Sequence, residues 1–185
     1  MQEDLTKIKR IRNGDIDAFG ELVDKYRNRL FGFLVKMTGS RHDSEEILQE
    51  VFIRAYSNID RYDHRWMFST WIYRIAINVY KNYRRKTGRY KTVSMDDAVL
   101  VDSSAGEGNP EHVYEKSERQ RELISLINSL KDKQRIPLIL KYVRNCSYAE
   151  IGDILGISEE AAKMRVMRAR KIICKKYMER HRGDF

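Results

Sequence analysis

Apolar residues recur every three or four positions along most of this chain, and strand-like alternation is missing, so the pattern predicts an all-α protein. Only two prolines, Pro110 and Pro137, interrupt it. From about Asp15 to Arg85 the helical periodicity is nearly continuous, with short breaks at Thr38-Gly39-Ser40 and around Asp60 to Arg65. This is read as an N-terminal helical bundle, residues 1–86. Periodicity then disappears, and VDSSAGEGNPE has the glycine, serine, proline and acid content of a flexible linker, placed at 87–117. It resumes at about Glu118. Leu123, Ile124, Ile127 and Leu130 mark one helix, and Ile139, Leu140 and Val143 a second, opening a C-terminal helical domain at 118–185. Pro137 falls inside that second helix, where its missing amide should kink the helix or shift its start.

Charge changes the picture. Over 185 residues, 36 Lys+Arg stand against 27 Asp+Glu, a formal charge of +9 that favours a polyanionic partner. The sign reverses along the chain: Lys81–Lys91 holds six basic residues and no acid, whereas Asp96–Glu118 holds seven acids and one lysine. No run approaches a membrane span and MQEDLTKIKR has no apolar signal core, so a cytoplasmic protein without membrane insertion is expected. Cys146 and Cys174 have no metal-ligand spacing, so neither a disulfide nor a metal site is expected, nor any cofactor.

The C-terminal domain carries the sharper motif. Ser147-Tyr148-Ala149-Glu150 is a capping box that opens a helix running through Ile151 and Ile154 to Leu155. Gly156 supplies the turn, and Ser158 caps a second helix whose first turn holds Glu159 and Glu160. At about 100° per residue, Ala162, Val166, Ala169 and Ile173 share one face of that helix, and Lys163, Met164, Met167, Arg168 and Lys171 lie opposite. Arg165 and Arg170 sit on the flanks, suited equally to phosphate contacts or internal ion pairs. A helix-turn-helix places its second helix in the major groove, so duplex DNA is the partner this basic face suits.

In the N-terminal bundle, Asp43-Ser44-Glu45-Glu46 reads as the cap of a helix that buries Ile47, Leu48, Val51, Phe52 and Ala55. Glu46, Gln49, Glu50, Ile53 and Arg54 are left more exposed, Ile53 as an apolar residue among polar ones. The following stretch, NIDRYDHRWMFSTWIYRIAINVYKNYRRK, interleaves aromatics with lysines and arginines, the composition that suits unpaired nucleic acid: bases stack on rings while cations follow the backbone. A helix from about Ser69 would bury Ile72, Ile75, Ala76 and Val79 and present Arg74, Asn78, Lys81 and Arg85. Phe68 and Trp71 are expected in the core. Trp66, in a polar loop, suits core and base contact equally, and His64 is read as solvated.

Together AFGELVDKYRNRLFGFLVKMTG, DSEEILQEVFIRAYSNIDRYD, FSTWIYRIAINVYKNYRRK and SYAEIGDILGISEEAAKMRVMRARKII resemble the extracytoplasmic-function sigma factors, which keep sigma domains two and four and little else. The resemblance covers nearly the whole chain. It implies a factor that binds core RNA polymerase, through the beta and beta-prime subunits, and directs promoter recognition, strand opening and initiation. Glu46, Gln49, Glu50, Ile53 and Arg54 would lie on the helix that docks on the polymerase clamp. The minus-ten element would be read by the loop from Asp60 to Met67 and the helix after it, through Arg61, Tyr62, His64, Trp66, Arg74, Asn78, Lys81 and Arg85. The minus-thirty-five element would be read from Ser158, Lys163, Met164, Arg165, Met167, Arg168 and Lys171. An anti-sigma factor is an implied further partner. The chain departs from the family's pattern at Ala162-Lys163-Met164, where a small polar residue or a Thr/Arg pairing is usual.

Two other readings compete. A transcription regulator could use the C-terminal helix-turn-helix on duplex DNA alone, but that leaves the aromatic and basic N-terminal stretch without a task. An enzyme such as a recombinase or nuclease would need clustered carboxylates, a Ser/His/Asp set or a glycine-rich phosphate loop, and none is present, so no catalytic residue is assigned.

Overall fold

The computed structural model describes residues 2–87, 119 and 121–181, and all regular structure among them is helical. The expected linker at 87–117 lies outside the described residues except for Thr87, which ends a helix. The chain forms two compact units.

The N-terminal unit contains α1 (Gln2–Arg12), α2 (Asp17–Thr38), α3 (Arg41–Ser57), a 3-10 turn (Ile59–Arg61) and α4 (Phe68–Thr87). The α2 helix is the hub: it packs on α1, α3 and α4 and buries Leu22, Tyr26, Leu30 and Phe33. The break at residues 38–40 falls where it was expected. Gly39 adopts φ 71° and ends α2 by donating its amide to the Val35 carbonyl, a conformation open to glycine because it has no Cβ. Ser40, not Asp43, then caps α3: the Ser40 hydroxyl accepts from the Asp43 amide at 3.2 Å. Starting one turn earlier leaves Asp43 in the first turn, where its charge still opposes the positive helix end. It also buries Ser44, whose hydroxyl donates to the Ser40 carbonyl at 2.6 Å.

Helix α1 was not foreseen. Ile8 and Ile11, three apart, bury against α2, and the pairs Lys7–Glu3, Lys7–Glu21 and Arg10–Asp15 line their edge. Asp4 is buried too, accepting from the Tyr26 hydroxyl at 2.7 Å and Lys25 at 2.6 Å, which offsets the cost of burying a carboxylate.

The C-terminal unit contains α5 (described over 121–128), α6 (Asp132–Val143), α7 (Tyr148–Leu155) and α8 (Glu159–Arg180). Its core differs from the expected stripe at α5. Leu126 and Leu130 are buried, Ile124 and Ile127 are half-buried, and Leu123 is exposed. On α6, Ile139 and Leu140 are buried as expected, but Val143 is exposed. The helix starts at Asp132 and runs on past buried Pro137, so its start is not shifted. Glu122 ties α5 to the end of α8, accepting from His181 at 3.0 Å with Arg180 at 3.5 Å. None of the described helices is long and apolar enough to cross a membrane.

Candidate nucleic-acid interfaces

The helix-turn-helix is built by local chemistry. The Ser147 hydroxyl accepts from the Glu150 amide at 3.1 Å, and the Glu150 carboxylate accepts from the Ser147 amide at 2.7 Å, so the capping box closes in both directions. Helix α7 ends at Gly156, φ 65°, and the amides of Gly156 and Ile157 both donate to the Gly152 carbonyl. Ser158 caps α8 by accepting from the Ala161 amide at 3.1 Å. With Ala162, Val166 and Ala169 fully buried, the orientation of α8 is fixed, and Lys163, Met164, Met167, Arg168 and Lys171 all face outward. Arg165 is half-buried and Arg170 exposed, while Ile173, expected in the core, is half-buried. Met164 and Met167, 46% and 50% exposed, make the middle of this basic face apolar.

In the N-terminal unit, α4 starts at Phe68 and presents Asn78, Lys81 and Arg85 as one exposed stripe, with Arg74 half-buried at its head. The buried side differs from the expected one. Tyr73, Ile77 and Tyr80 join Ile72, Ala76 and Val79 in the core, and Ile75 is half-buried, because α2 and α3 cover a wider arc of α4 than a single stripe. Phe68 is buried as expected. Trp71 is half-buried, with its ring centroid 5.3 Å from that of Tyr62.

The loop before α4 sorts its residues into two sets. Arg61, His64 and Trp66 are exposed. Tyr62, expected among the DNA-facing residues, is instead only 4% exposed and belongs to the core, edge-on to Phe68 and Trp71. Its hydroxyl donates to the Trp66 carbonyl at 2.5 Å, and burial pushes the phenol's pKa up, with Asp4 and Asp63 adding to the effect. Arg65 pairs with Asp63 at 2.6 Å and holds that carboxyl below its ordinary range. The Trp66 ring, 38% exposed, has the Arg74 guanidinium 5.7 Å from its centroid. An aromatic face and the cationic stripe of α4 therefore form one continuous surface.

On α3, Gln49, Ile53 and Arg54 are exposed beside Glu46, and Glu50 pairs with Arg54 at 2.5 Å. Ile53 is 61% exposed. Residue-by-residue reading missed its neighbour Tyr56, 43% exposed, whose ring meets that of Phe19 at 5.0 Å. The signal was available, since Tyr56 lies three residues after Ile53 on the same face.

Sigma-70 region 2 matches residues 22–90, and sigma-70 region 4 matches residues 120–173. The ECF RNA polymerase sigma factor SigW of Bacillus subtilis is 35% identical over 175 residues, 91% of this chain and 94% of that protein. The ECF RNA polymerase sigma-E factor of Haemophilus influenzae is 32% identical over 182 residues, 94% of this chain and 96% of that one. Two solved structures share the fold at 20% identity. CnrH, in complex with the cytosolic domain of CnrY, has a TM-score of 0.70 with 95% of this chain and 97% of that one covered. The sigma factor RpoE of Bartonella quintana, in complex with the anti-sigma factor NepR, has a TM-score of 0.66 with 90% and 98% covered. With both regions matched in order and relatives aligned over nearly their whole length, the chain belongs to the extracytoplasmic-function sigma factors of the sigma-70 family.

Proposed function

We propose a division of labour among the exposed faces of this sigma factor, which directs core RNA polymerase to promoters and performs no catalysis itself. Trp66, His64, Arg61 and the α4 stripe of Arg74, Asn78, Lys81 and Arg85 take the non-template strand of the melted minus-ten element. Tyr62 supports that loop from the core. A single base stacked on the Trp66 face, with phosphates running along α4, satisfies both halves of the surface.

Helix α8 takes the minus-thirty-five duplex. Lys163, Arg168 and Lys171 reach guanine edges or phosphates, and Met164 and Met167 suit the C5-methyl groups of thymine. Ser158 and Arg165 flank them at the backbone. The α3 face of Glu46, Gln49, Glu50, Ile53 and Arg54, extended by Tyr56, docks on the core enzyme's clamp. An anti-sigma factor covering the same faces would hold the protein inactive, and the cytoplasm is where it meets its polymerase.

The observation that carries this reading is the continuity of exposed Trp66 with the cationic stripe of α4. Run-off transcription with purified core polymerase and a genomic promoter library tests it. The protein should convert core enzyme to promoter-specific initiation without another sigma factor. Failure to bind core enzyme, or initiation independent of promoter sequence, refutes it.

A further inference from the structure

Arg12, the last residue of α1, reaches across to the loop that precedes α4. Its Nη2 lies 2.9 Å from the Ile59 carbonyl, 3.1 Å from that of Asp60 and 2.7 Å from that of Tyr62. These are backbone acceptors 47 to 50 residues away in sequence. One nitrogen with two hydrogens facing three carbonyl oxygens is an unusual concentration of acceptors. Two of the carbonyls belong to the 3-10 turn Ile59–Arg61 and the third to Tyr62, the residue that follows it, so three peptide dipoles present their negative ends to one guanidinium.

Tyr62, whose carbonyl Arg12 holds, donates its hydroxyl to the Trp66 carbonyl, and Trp66 carries the ring faced by Arg74. The Trp66 amide in turn donates to Asp63 at 3.1 Å. The chain from Arg12 therefore reaches the backbone that carries the exposed ring through two hydrogen bonds, by way of buried Tyr62. Arg10, two residues earlier on the opposite side of α1, does something else: it pairs with Asp15 and Glu21 and ties α1 to the start of α2.

We propose that Arg12 is a positioning residue for strand opening: by pinning the Ile59, Asp60 and Tyr62 carbonyls it sets the height and tilt of the Trp66 loop against the minus-ten bases. The proposal rests on the minus-ten role given to Trp66 above. Arg12 need not touch DNA, and its removal should not disturb α8 or the α3 docking face.

Full-length Arg12→Ala, Arg12→Lys and Arg10→Ala are assembled with core polymerase on one promoter. Each is measured for core affinity, for affinity to a minus-thirty-five duplex, for permanganate reactivity of minus-ten thymines, and for discrimination across a panel of minus-ten substitutions. Arg12→Ala should lower opening on the order of tenfold, the scale of losing charge-assisted hydrogen bonds, and flatten minus-ten discrimination. Its core affinity and minus-thirty-five affinity should stay within about twofold of the parent. Arg12→Lys keeps the charge, but its ammonium ends one bond short of the Nη2 position from which all three carbonyls are reached, and it should recover stability while leaving discrimination reduced. If Arg12→Ala folds poorly, the lysine variant alone decides the matter. Parental opening and discrimination in Arg12→Lys would overturn the proposal. So would equal losses in Arg10→Ala and Arg12→Ala that scale with melting temperature, since α1 would then only add stability. In either case the parent protein still initiates from promoters and the sigma reading stands. Failure of the parent to open any promoter removes both.

Discussion

Gly152 offers a test in which the sign of the effect is set by tertiary structure. An alanine inside a helix normally gains about 1 kcal/mol over glycine. At Gly152, however, a Cβ would stand 2.7 Å from the Ile157 carbonyl oxygen and 3.4 Å from the Glu159 amide nitrogen. Both are backbone atoms of the turn that launches α8, and neither can rotate away. The amides of Gly156 and Ile157 donate to the Gly152 carbonyl, so relief requires moving the turn itself. Overpacking of this kind costs about 1–3 kcal/mol, which outweighs the propensity gain and leaves a net loss near 1 kcal/mol. For a unit of this size that is a fall of about 4–8 °C in its melting transition. Calorimetry of the full chain reads the transition, and hydrogen exchange over α7 and α8 locates it. Affinity for a minus-thirty-five duplex should fall with it if α8, the displaced element, reads that duplex as proposed. Gly20→Ala is the counterpart: it lies within α2 with nothing within 4 Å of a new Cβ, and should stabilise the N-terminal unit. If Gly152→Ala stabilises its unit as Gly20→Ala does, the close approach is not real and the argument fails.

The remaining predictions concern the two interfaces and the acid response. Trp66→Ala should cost about 1–3 kcal/mol in single-strand affinity with melting temperature unchanged, since the ring is exposed; parallel loss of stability and of duplex binding would place it in the core instead. Arg168→Ala should weaken binding to the minus-thirty-five element by about 1–3 kcal/mol if it reads a base, whereas an equal loss on scrambled duplex would mark a phosphate contact. Glu3 is held at a pKa of about 2 by hydrogen bonds and charge from Lys25 and Lys7, and Glu21 and Asp15 are lowered by their own cationic partners. A folded-state pKa below the unfolded one contributes stability that is present above the unfolded value of 4.5 and is lost as pH falls toward 2. Protection of the α1 amides, corrected for the pH dependence of intrinsic exchange, should therefore fall between pH 4.5 and 2, and Glu3→Gln should shrink that fall; an unchanged profile in the variant would refute the assignment.

Local chemistry and periodicity made the C-terminal motif legible from the sequence. The capping box at Ser147 and Glu150, the glycine turn at 156 and the Ser158 cap involve residues at most five apart, so the chain carries their whole geometry in its own order. The outward face of α8 followed from helical spacing once Ala162, Val166 and Ala169 marked the inside. The same logic placed Asn78, Lys81 and Arg85 on one exposed stripe. Where two signals competed, spacing alone chose wrongly. Ser40 and Asp43 are both good caps, and only the end of α2 at Gly39 decided for Ser40. Leu123 and Leu126 are both apolar on α5, and only the neighbours packed against that helix decided that Leu126 is buried and Leu123 exposed. Tyr62 reads as one more aromatic in a nucleic-acid-binding stretch, yet its ring closes the core beside Phe68 and Trp71 while Trp66, four residues on, stays outside. The link from Arg12 to the Ile59, Asp60 and Tyr62 carbonyls has no sequence signature at all. Its acceptors are backbone oxygens, which every residue type possesses, and only the packing of α1 on α2 brings the guanidinium within reach of them.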